Sequence, residues 1–366
     1  MRNLAKISQN LGAESRKKTH FILDKREFME HILFTGAAGY IGSHTALSFL
    51  KQSDCKITII DNLQSGFMEN VAFLQGRFPK RVEFINADLS DKIAMANLFR
   101  AQKFSAVVHF AASLIVPESV AKPLLYYSNN TKNTLNLIAL CVESGVNRFI
   151  FSSTAAVYGE PKIIPVSEDS PLAPINPYGA SKMMSEIILR DTAAASDFKF
   201  VALRYFNVAG ACLENDYANK LGLGQRSANA THLIKVACEC AVGKRAQISI
   251  FGDDYATSDG SCVRDYIHID DLADAHFCAL NFLNRSKKSK VFNVGYGRGF
   301  SVKEIIAKVK EISGVDFKVQ NAPRREGDPA MLVADNSKIL QTTSWQPKFN
   351  DINKIIQSAY NWEQII

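Results

Sequence analysis

From residue 31 to about residue 206, short apolar runs alternate with longer stretches in which apolar residues recur at helical spacing. The apolar runs predict strands at 31–35, 56–60, 81–86, 105–110, 147–152 and 199–204. The periodic stretches predict helices at 41–52, 91–101, 123–144 and 178–195. Strands and helices that alternate in this way form a parallel sheet with helices on both faces, so the sequence predicts a doubly wound α/β fold.

The alternation stops after Asn207. A loop rich in Gly, Asn and Ala occupies 209–230, a helix is predicted at 231–242, and shorter elements follow. We therefore predict a larger domain at 29–206 and a smaller one at 207–366. Part of 266–284 is expected to pack back on the larger domain.

Residues 1–28 are polar and basic and precede the first predicted strand. They lack the apolar core of a secretory signal peptide. Our preferred interpretation is an extension outside the native protein, with translation starting at Met29. A disordered tail is the alternative.

The composition is that of a globular protein, because 47% of the 366 residues are hydrophobic and 22% are charged. The net charge of +7 is spread along the chain, and no stripe of Lys and Arg interleaved with aromatic residues indicates a nucleic-acid partner. No apolar run reaches the roughly 18 residues that span a bilayer, so no membrane partner is expected. The seven cysteines are mostly far apart, which favours the reducing cytoplasm over a disulfide framework. Cys238 and Cys240 are interpreted as core or surface residues.

A glycine-rich turn joins the first predicted strand to the first predicted helix. Gly36, Gly39 and Gly42 allow a tight turn, a close approach to a pyrophosphate, and packing of the helix on the sheet. The start of the helix offers free N–H groups and partial positive charge to the phosphates. Asp61 ends the second strand, 19 residues after Gly42, where a carboxylate binds the adenosine ribose of NAD. It would repel the 2′-phosphate of NADP, and no arginine stands beside it, so NAD is the predicted cofactor.

Tyr178 and Lys182 form a candidate catalytic pair. They stand at positions i and i+4 of the predicted helix 178–195, so their side chains share one face. A neighbouring ammonium favours the phenolate form of tyrosine, which predicts that Tyr178 acts as a general base toward a sugar or alcohol hydroxyl. Thr154 follows the strand 147–152 and is expected to place a hydroxyl near the reacting oxygen, because ligands bind at the carboxyl ends of parallel strands.

Several segments of the larger domain resemble motifs of the extended short-chain dehydrogenase/reductase family. These segments are Thr35–His44, Asp61–Leu63, His109–Ala112, Phe151–Gly159, Asn176–Lys182 and Leu203–Asn207. Segments of the smaller domain narrow the resemblance to the UDP-hexose 4-epimerases of that family, namely Ile250–Tyr255, Cys262–His268 and Ala322–Asp328. The resemblance runs from about residue 30 to the end of the chain.

The resemblance implies a Rossmann domain with tightly bound NAD, a UDP-sugar-binding cap domain, and reversible 4-epimerisation of UDP-glucose and UDP-galactose. It also implies a homodimer through the helices 123–144 and 178–195. At the pyrophosphate it implies contacts from Gly36, Gly39, Tyr40, Ile41 and Gly42. Asp61 and Asn62 would contact the adenosine ribose, Asp88 and Leu89 the adenine, and Lys182 the nicotinamide ribose. The positions implied elsewhere in the cleft are Leu63, Ser65, Phe110, Ala111, Ala112, Asn129, Tyr178 and Phe206.

The substrate-binding positions follow from the same resemblance. They are Asn207, Arg264 and Arg325 at the diphosphate, Asp328 at the uridine ribose, Phe251 beside the uracil, and Thr154, Leu233, Tyr266 and Leu332 elsewhere. A planar guanidinium suits a diphosphate because it donates two parallel hydrogen bonds.

Three positions depart from the family pattern. Leu114 stands where many members carry Lys, and His232 stands where an Asn usually precedes Leu233. The position bordering the sugar pocket, often Tyr in members restricted to plain hexoses, is Leu332. A smaller side chain leaves room for an N-acetyl group at sugar carbon 2. The hypothesis is that UDP-N-acetylglucosamine and UDP-N-acetylgalactosamine are also substrates.

Two rival functions are weighed. A nucleotide-sugar 4,6-dehydratase shares the fold and cofactor but needs an acid/base carboxylate where this chain has Ala155 and Ala156. A non-catalytic NAD-binding scaffold would have no need of the pair Tyr178 and Lys182.

A metal site built from His268, Asp270, Asp271 and His276 is disfavoured against a strand end followed by a helix. In that interpretation Asp270 is the helix N-cap, and no metal ligand is predicted.

Overall fold

A seven-stranded parallel sheet lies at the centre of the protein. The computed structural model describes residues 29–227 and 230–366, so the expectation for residues 1–28 lies outside the described residues. The strands are β1 (His31–Thr35), β2 (Lys56–Asp61), β3 (Val82–Asn86), β4 (Ala106–His109), β5 (Arg148–Thr154), β6 (Lys199–Tyr205), β7 (Asn207–Ala209), β8 (Gln247–Phe251), β9 (Val263–His268), β10 (Lys290–Val294), β11 (Gly299–Ser301), β12 (Lys318–Ala322) and β13 (Met331–Leu332).

The strand order of the central sheet creates a cleft at the carboxyl ends of β1 and β4. The order is β10-β6-β5-β4-β1-β2-β3, and every pairing is parallel. The chain runs outward from β1 toward β3 and then crosses back to β4, so neighbouring connections leave on opposite faces. Ligands bind at such a switch point in open α/β sheets. The prediction of a doubly wound parallel sheet is confirmed.

Helices cover both faces of the sheet and surround the smaller sheets. They are α1 (Tyr40–Gln52), α2 (Met68–Arg77), α3 (Lys92–Ala101), α4 (Val116–Ala121), α5 (Pro123–Tyr126), α6 (Asn133–Glu143), α7 (Pro177–Ala195), α8 (Leu233–Ala241), α9 (Ile269–Ser286), α10 (Val302–Ser313), α11 (Ser337–Thr342) and α12 (Ile352–Glu363).

The apolar runs of the sequence become strands that are buried on both sides. In β1, Ile32 and Phe34 pack in one core cluster with α1 and α9, and Leu33 packs in the opposite cluster with α3, α6 and α7. A strand covered on both faces needs apolar residues at consecutive positions, which is why these segments show no polar alternation. The helix α9 therefore completes one face of the central sheet, and β10 extends its edge beside β6.

The smaller sheets carry the elements that follow Asn207. Strand β9 pairs with β7, β11 and β13, and β8 pairs with β12. A third core cluster joins α8, α10 and α12, and it includes Cys238 and Cys240. These two cysteines are core residues. His31–Ile366 form one unit, and the domain boundary between residues 206 and 207 stays a prediction.

Between residues 31 and 206 the sequence analysis missed two helices and simplified a third, and after residue 242 it gave only shorter elements although α9 has 18 residues. Helices α2 and α4 were not predicted. The predicted helix 123–144 consists of α5, a π-helical segment at Tyr127–Lys132, and α6. Within the π segment the Asn130 side chain accepts a hydrogen bond from the Ser113 backbone N–H (2.8 Å) and donates to the Ser113 carbonyl (3.0 Å) and the Ser181 hydroxyl (3.0 Å). These tertiary bonds hold the wider turn, and helical periodicity does not reveal them.

The expectation that Asp270 caps α9 is wrong. The N-cap is His268, whose side chain accepts a hydrogen bond from the Asp270 backbone N–H. Asp270 lies in the first turn, where its carboxylate accepts a hydrogen bond from the Leu213 backbone N–H. His276 bonds through Nδ1 to the Leu272 carbonyl.

In the described residues, none of the helices combines the length and the apolar composition that a membrane crossing requires.

Packing at Gly42 generates a stability prediction. A Cβ on Gly42 would lie 2.6 Å from the Ala37 Cα and 2.8 Å from the Gly36 carbonyl oxygen. The Gly42→Ala protein is therefore expected to lose about 1–3 kcal/mol of unfolding free energy, because α1 must move away from the glycine-rich turn.

The control is Gly76→Ala in α2, where a Cβ meets no atom within 4 Å. Alanine there is expected to be neutral or to stabilise by about 0.5–1 kcal/mol. Thermal unfolding of both proteins is the measurement, and equal melting temperatures would contradict the packing argument.

Candidate active site

The glycine-rich turn leaves the start of α1 open to an anion. Gly36 adopts φ 74° and its backbone N–H donates to the Ile60 carbonyl (2.8 Å). A Cβ there would stand 2.5 Å from the Ala111 nitrogen, so the turn and the segment after β4 approach as closely as glycine permits. Gly39 is the N-cap of α1, without a side-chain capping bond and without an acidic residue in the first turn. The N–H groups of this turn therefore fit a pyrophosphate.

Asp61 is placed beside that turn at the end of β2. Its carboxylate accepts hydrogen bonds from the backbone N–H groups of Ala38 (3.1 Å) and Leu63 (2.8 Å). Burial raises the pKa of Asp61, and these two bonds partly oppose the shift. A carboxylate oxygen has more than one acceptor position, so both oxygens keep the capacity to bind ribose hydroxyls. These residues fit the adenosine half of NAD.

Most of the remaining predicted cofactor positions follow the carboxyl ends of strands in the central sheet, and their assignment to the cofactor stays a prediction. Asn62 donates to the Asp88 carboxylate (2.7 Å), and Asn129 donates to the Ser113 hydroxyl (2.9 Å). The Phe110 ring lies between Phe34 and His276. Tyr40 and Ile41 open α1, Leu89 and Phe206 are buried, and Ala111 and Ala112 are partly buried. Ser65 lies on the exposed side of its turn.

The end of β5 is fastened to α7 through the predicted catalytic residues. Tyr178 is hydrogen-bonded with Thr154. The Lys182 ammonium donates to the Ser152 carbonyl (2.8 Å) and lies 4.9 Å from the centre of the Phe151 ring. The structure therefore brings Thr154, Tyr178 and Lys182 together, as the helical spacing predicted.

Burial is the largest influence on the pKa values of this pair. Burial raises the pKa of Tyr178, and the Thr154 hydroxyl opposes that shift only in part. Burial also lowers the pKa of Lys182 to about 7, although Glu186 raises it. Neither shift includes a contribution from the other member of the pair, so the expectation that Lys182 favours the Tyr178 phenolate stays a prediction.

Glu186 and Arg204 are residues of this site that the sequence reading missed. Glu186 accepts a hydrogen bond from the Ser153 hydroxyl and forms a buried ion pair with Arg204 (2.6 Å). Arg204 also donates to the Tyr158 hydroxyl (2.9 Å). The sequence did contain a signal for Glu186, because Tyr178, Lys182 and Glu186 stand four residues apart along one helix.

A cationic surface built from the smaller sheets stands near α7. The Arg325 guanidinium lies 4.5 Å from the centre of the Phe251 ring, and its Nε donates to the Asp328 carboxylate (2.9 Å). Arg264 Nη2 lies 3.9 Å from the same carboxylate. Two guanidinium groups share one carboxylate, which leaves a net positive charge for an anionic ligand. Asn176, the N-cap of α7, donates to the Gly327 carbonyl (3.4 Å) and connects this surface to Tyr178.

The other predicted substrate positions fall into two neighbouring groups. Asn207, Leu233 and Tyr266 line one pocket together with His232 and Gln225. Leu332 pairs with Arg264 between β13 and β9, and it packs in a buried cluster with Ala155 and Phe206.

Comparison with known proteins extends this picture. The model of the NAD dependent epimerase/dehydratase family matches residues 32–295. The chain is 46% identical over 341 residues to a UDP-glucose 4-epimerase of Azospirillum brasilense, covering 93% of this chain and 94% of that protein. The chain belongs to the NAD-dependent epimerase/dehydratase family.

Solved structures of similar proteins have the same fold. A UDP-Glc/GlcNAc 4-epimerase from Campylobacter jejuni is 56% identical, with a TM-score of 0.78 and coverage of 92% of this chain and 99% of that chain. A UDP-glucose 4-epimerase from Bifidobacterium longum, in complex with NAD+ and UDP, is 35% identical, with a TM-score of 0.85 and coverage of 91% and 98%.

The departures from the family pattern are explained locally. Leu114, which stands where many family members carry Lys, is 48% exposed. The leucine therefore leaves no buried group without a partner. His232 accepts a hydrogen bond through Nδ1 from the Gln225 amide (2.8 Å), because the amide NH₂ is only a donor. That bond places the ring proton of neutral His232 on Nε2 and leaves it one N–H donor, whereas an Asn amide has two.

Proposed function

We propose that this protein inverts carbon 4 of UDP-hexoses, using NAD that stays bound through the cycle. The observation that carries the proposal is the joint placement of Thr154, Tyr178 and Lys182 beside a surface with two arginines. The relatives from Azospirillum brasilense and Campylobacter jejuni are named as 4-epimerases of UDP-sugars, which supports this substrate class.

The cofactor is assigned to the cleft at the switch point. The glycine-rich turn would hold its pyrophosphate, Asp61 its adenosine ribose, and Lys182 its nicotinamide ribose. When bound, NAD accepts a hydride from carbon 4 and returns it. The complex of the Bifidobacterium longum relative with NAD+ and UDP supports this assignment.

The substrate would be anchored by its nucleotide. Arg264 and Arg325 are suited to the diphosphate, and their shared contact with Asp328 orients both guanidinium groups. The Phe251 ring beneath Arg325 offers a stacking surface for the uracil.

Proton transfer at carbon 4 would pass through Tyr178. Its phenolate accepts the proton of the 4-hydroxyl, with Thr154 holding the two oxygens in line. The resulting 4-keto sugar turns over while its UDP remains fixed, so the opposite face meets the same groups. Tyr178 then returns the proton to the new 4-hydroxyl.

The direct test is proton NMR of the purified protein with UDP-galactose and no added cofactor. Formation of UDP-glucose supports both epimerisation and resident NAD. No reaction even after NAD is supplied would overturn the proposed function.

The Tyr178→Phe protein is expected to bind NAD and UDP-sugar normally while its turnover falls by about 10²–10⁴-fold, because phenylalanine cannot exchange a proton. Steady-state rates and equilibrium binding of UDP are the measurements. Wild-type turnover in this variant would contradict the role of Tyr178.

We further propose that the pocket accepts N-acetylated sugars. Leu332 is buried beside Ala155, directly after Thr154, so it lies where the sugar would turn. Its neighbours Ala155 and Phe206 carry no side-chain hydrogen-bond donor. The Campylobacter jejuni relative is named for both plain and N-acetylated substrates, which supports the proposal.

Leu332→Tyr is expected to lower kcat/KM for UDP-N-acetylgalactosamine by about 10–200-fold, because the larger ring occupies the space of the acetyl group. The rate on UDP-galactose should change far less. Leu332→Met, which conserves volume, is the control and should keep both activities. Equal losses on the two substrates would contradict the proposed gate.

We also propose a homodimer through α6 and α7, located in the cytoplasm. Leu135 and Val142 on α6 are 48% and 43% exposed, and Met184 and Ile187 on α7 are 41% and 38% exposed. Large apolar side chains grouped on neighbouring helices are typical of an interface between subunits. The buried thiols of Cys141 and Cys238 fit a compartment that keeps thiols reduced.

Leu135→Lys is expected to convert the dimer to a monomer, because it places charge in the apolar face. The control is Ile93→Lys on α3, where the isoleucine is 76% exposed and lies outside that face. Sedimentation equilibrium of both variants and the wild type measures the mass. A wild-type monomer would rule out the dimer.

A further inference from the structure

The segment 210–226, which we term the strap, fastens the second half of the chain to the nucleotide-binding half. At its start the Gly210 carbonyl accepts a hydrogen bond from the Tyr40 hydroxyl (2.6 Å), so it contacts the first residue of α1. Further along, Glu214 forms ion pairs with Lys51 of α1 and Arg77 of α2. The strap is thus held across the two helices that flank the glycine-rich turn.

The end of the strap reaches the turn itself through Arg226. Its Nε donates to the Asn70 side-chain oxygen (3.1 Å), and its guanidinium lies 4.8 Å from the centre of the Trp362 ring. Trp362 belongs to α12 and is 1% exposed. Arg226 therefore lies between the last helix of the chain and α2.

Arg226 and the Ala38 carbonyl together fix which way the Asn70 amide points. A guanidinium only donates hydrogen bonds, so the Asn70 oxygen must face Arg226 and the amide nitrogen must face away. That nitrogen donates to the Ala38 carbonyl (2.9 Å), and Asn70 is 1% exposed. The chain of contacts from Trp362 through Arg226 to Asn70 thus ends on the backbone between Gly36 and Gly39.

Both the backbone N–H and the carbonyl of Ala38 are held by hydrogen bonds. The Ala38 carbonyl accepts from Asn70 and from the Phe67 backbone N–H (3.0 Å), and the Ala38 N–H donates to Asp61. Asp61 is the residue assigned to the adenosine ribose, and the turn is assigned to the pyrophosphate. A fixed Ala38 therefore fixes two of the groups that would hold the cofactor.

We propose that Arg226 is a positioning residue that holds the glycine-rich turn in its anion-binding shape and thereby slows the release of NAD. The inference rests on the proposed function, because it concerns the cofactor assigned there. Arg226 acts through Asn70 and Ala38. Its effect should therefore fall on cofactor retention, and the chemical step at Tyr178 should keep its rate.

The first test compares NAD release from the wild type and from Arg226→Met, which keeps an apolar contact with Trp362 but donates no hydrogen bond. Each protein is saturated with NAD and desalted, and the NAD remaining is measured over time from the absorbance at 260 nm and by chromatography of the extract. Release is expected to be about tenfold faster or more in the variant. The KM for UDP-galactose, and kcat with NAD in excess, should stay at the wild-type values.

A second variant tests the link independently of Arg226. Asn70→Asp keeps an acceptor for Arg226 but places an oxygen against the Ala38 carbonyl, so it should also accelerate release. The control is Arg77→Met, which removes one contact of the strap without touching the turn, since Lys51 still holds Glu214. That protein should retain NAD as the wild type does.

Release at the wild-type rate from both Arg226→Met and Asn70→Asp would overturn the inference and leave the proposed function intact. A lower kcat with unchanged release would overturn it as well, since the effect would then lie in the chemical step. A wild-type protein that binds no NAD would overturn the proposed function together with this inference.

Discussion

The reaction site depends on one constraint, the burial of the Lys182 ammonium beneath the end of the central sheet. An ammonium taken out of water loses several kcal/mol of solvation, so the protein must surround it with acceptors. The Ser152 carbonyl accepts a hydrogen bond from Lys182, the Phe151 ring lies beside its Nζ, and Glu186 adds a negative charge one turn further along α7. Glu186 is buried too, and it forms an ion pair with Arg204 of β6. Lys182 and Glu186 thereby connect α7 to β5 and β6.

The two halves of the site hold their ligands in different ways, as an inversion at one carbon requires. The groups assigned to the nucleotide are charged and are held in place: Asp61 by two backbone N–H groups, and the two arginines by Asp328. The groups where the sugar would turn are apolar, namely Ala155, Phe206 and Leu332. Hydrogen bonds to one sugar face would oppose the rotation that exposes the other. Firm contacts to the nucleotide and weak contacts to the hexose therefore belong to one mechanism.

The sequence could predict those parts of the structure that depend on neighbours along the chain. Strands buried on both faces, the glycine-rich turn, and Tyr178 four residues before Lys182 are local patterns, and the structure places them as expected. The π-helical turn near Asn130, the His268 cap and the Arg204–Glu186 pair depend on residues that meet only after folding. The sequence could not predict the direction of the Tyr178 pKa shift either. Burial sets that direction, and the helical spacing shows only that Lys182 is a neighbour.

The raised pKa of Tyr178 connects cofactor retention to proton transfer. In the protein by itself, burial raises the pKa of Tyr178 and lowers that of Lys182, so both groups are driven toward their neutral forms. Positive charge brought beside Tyr178 would oppose the cost of desolvation and favour its phenolate. Under the proposed assignment, bound NAD would bring positive charge near Tyr178 in addition to accepting the hydride. The contacts that hold the glycine-rich turn lie far along the chain from Tyr178, and they would act on proton transfer only through the amount of cofactor that stays bound.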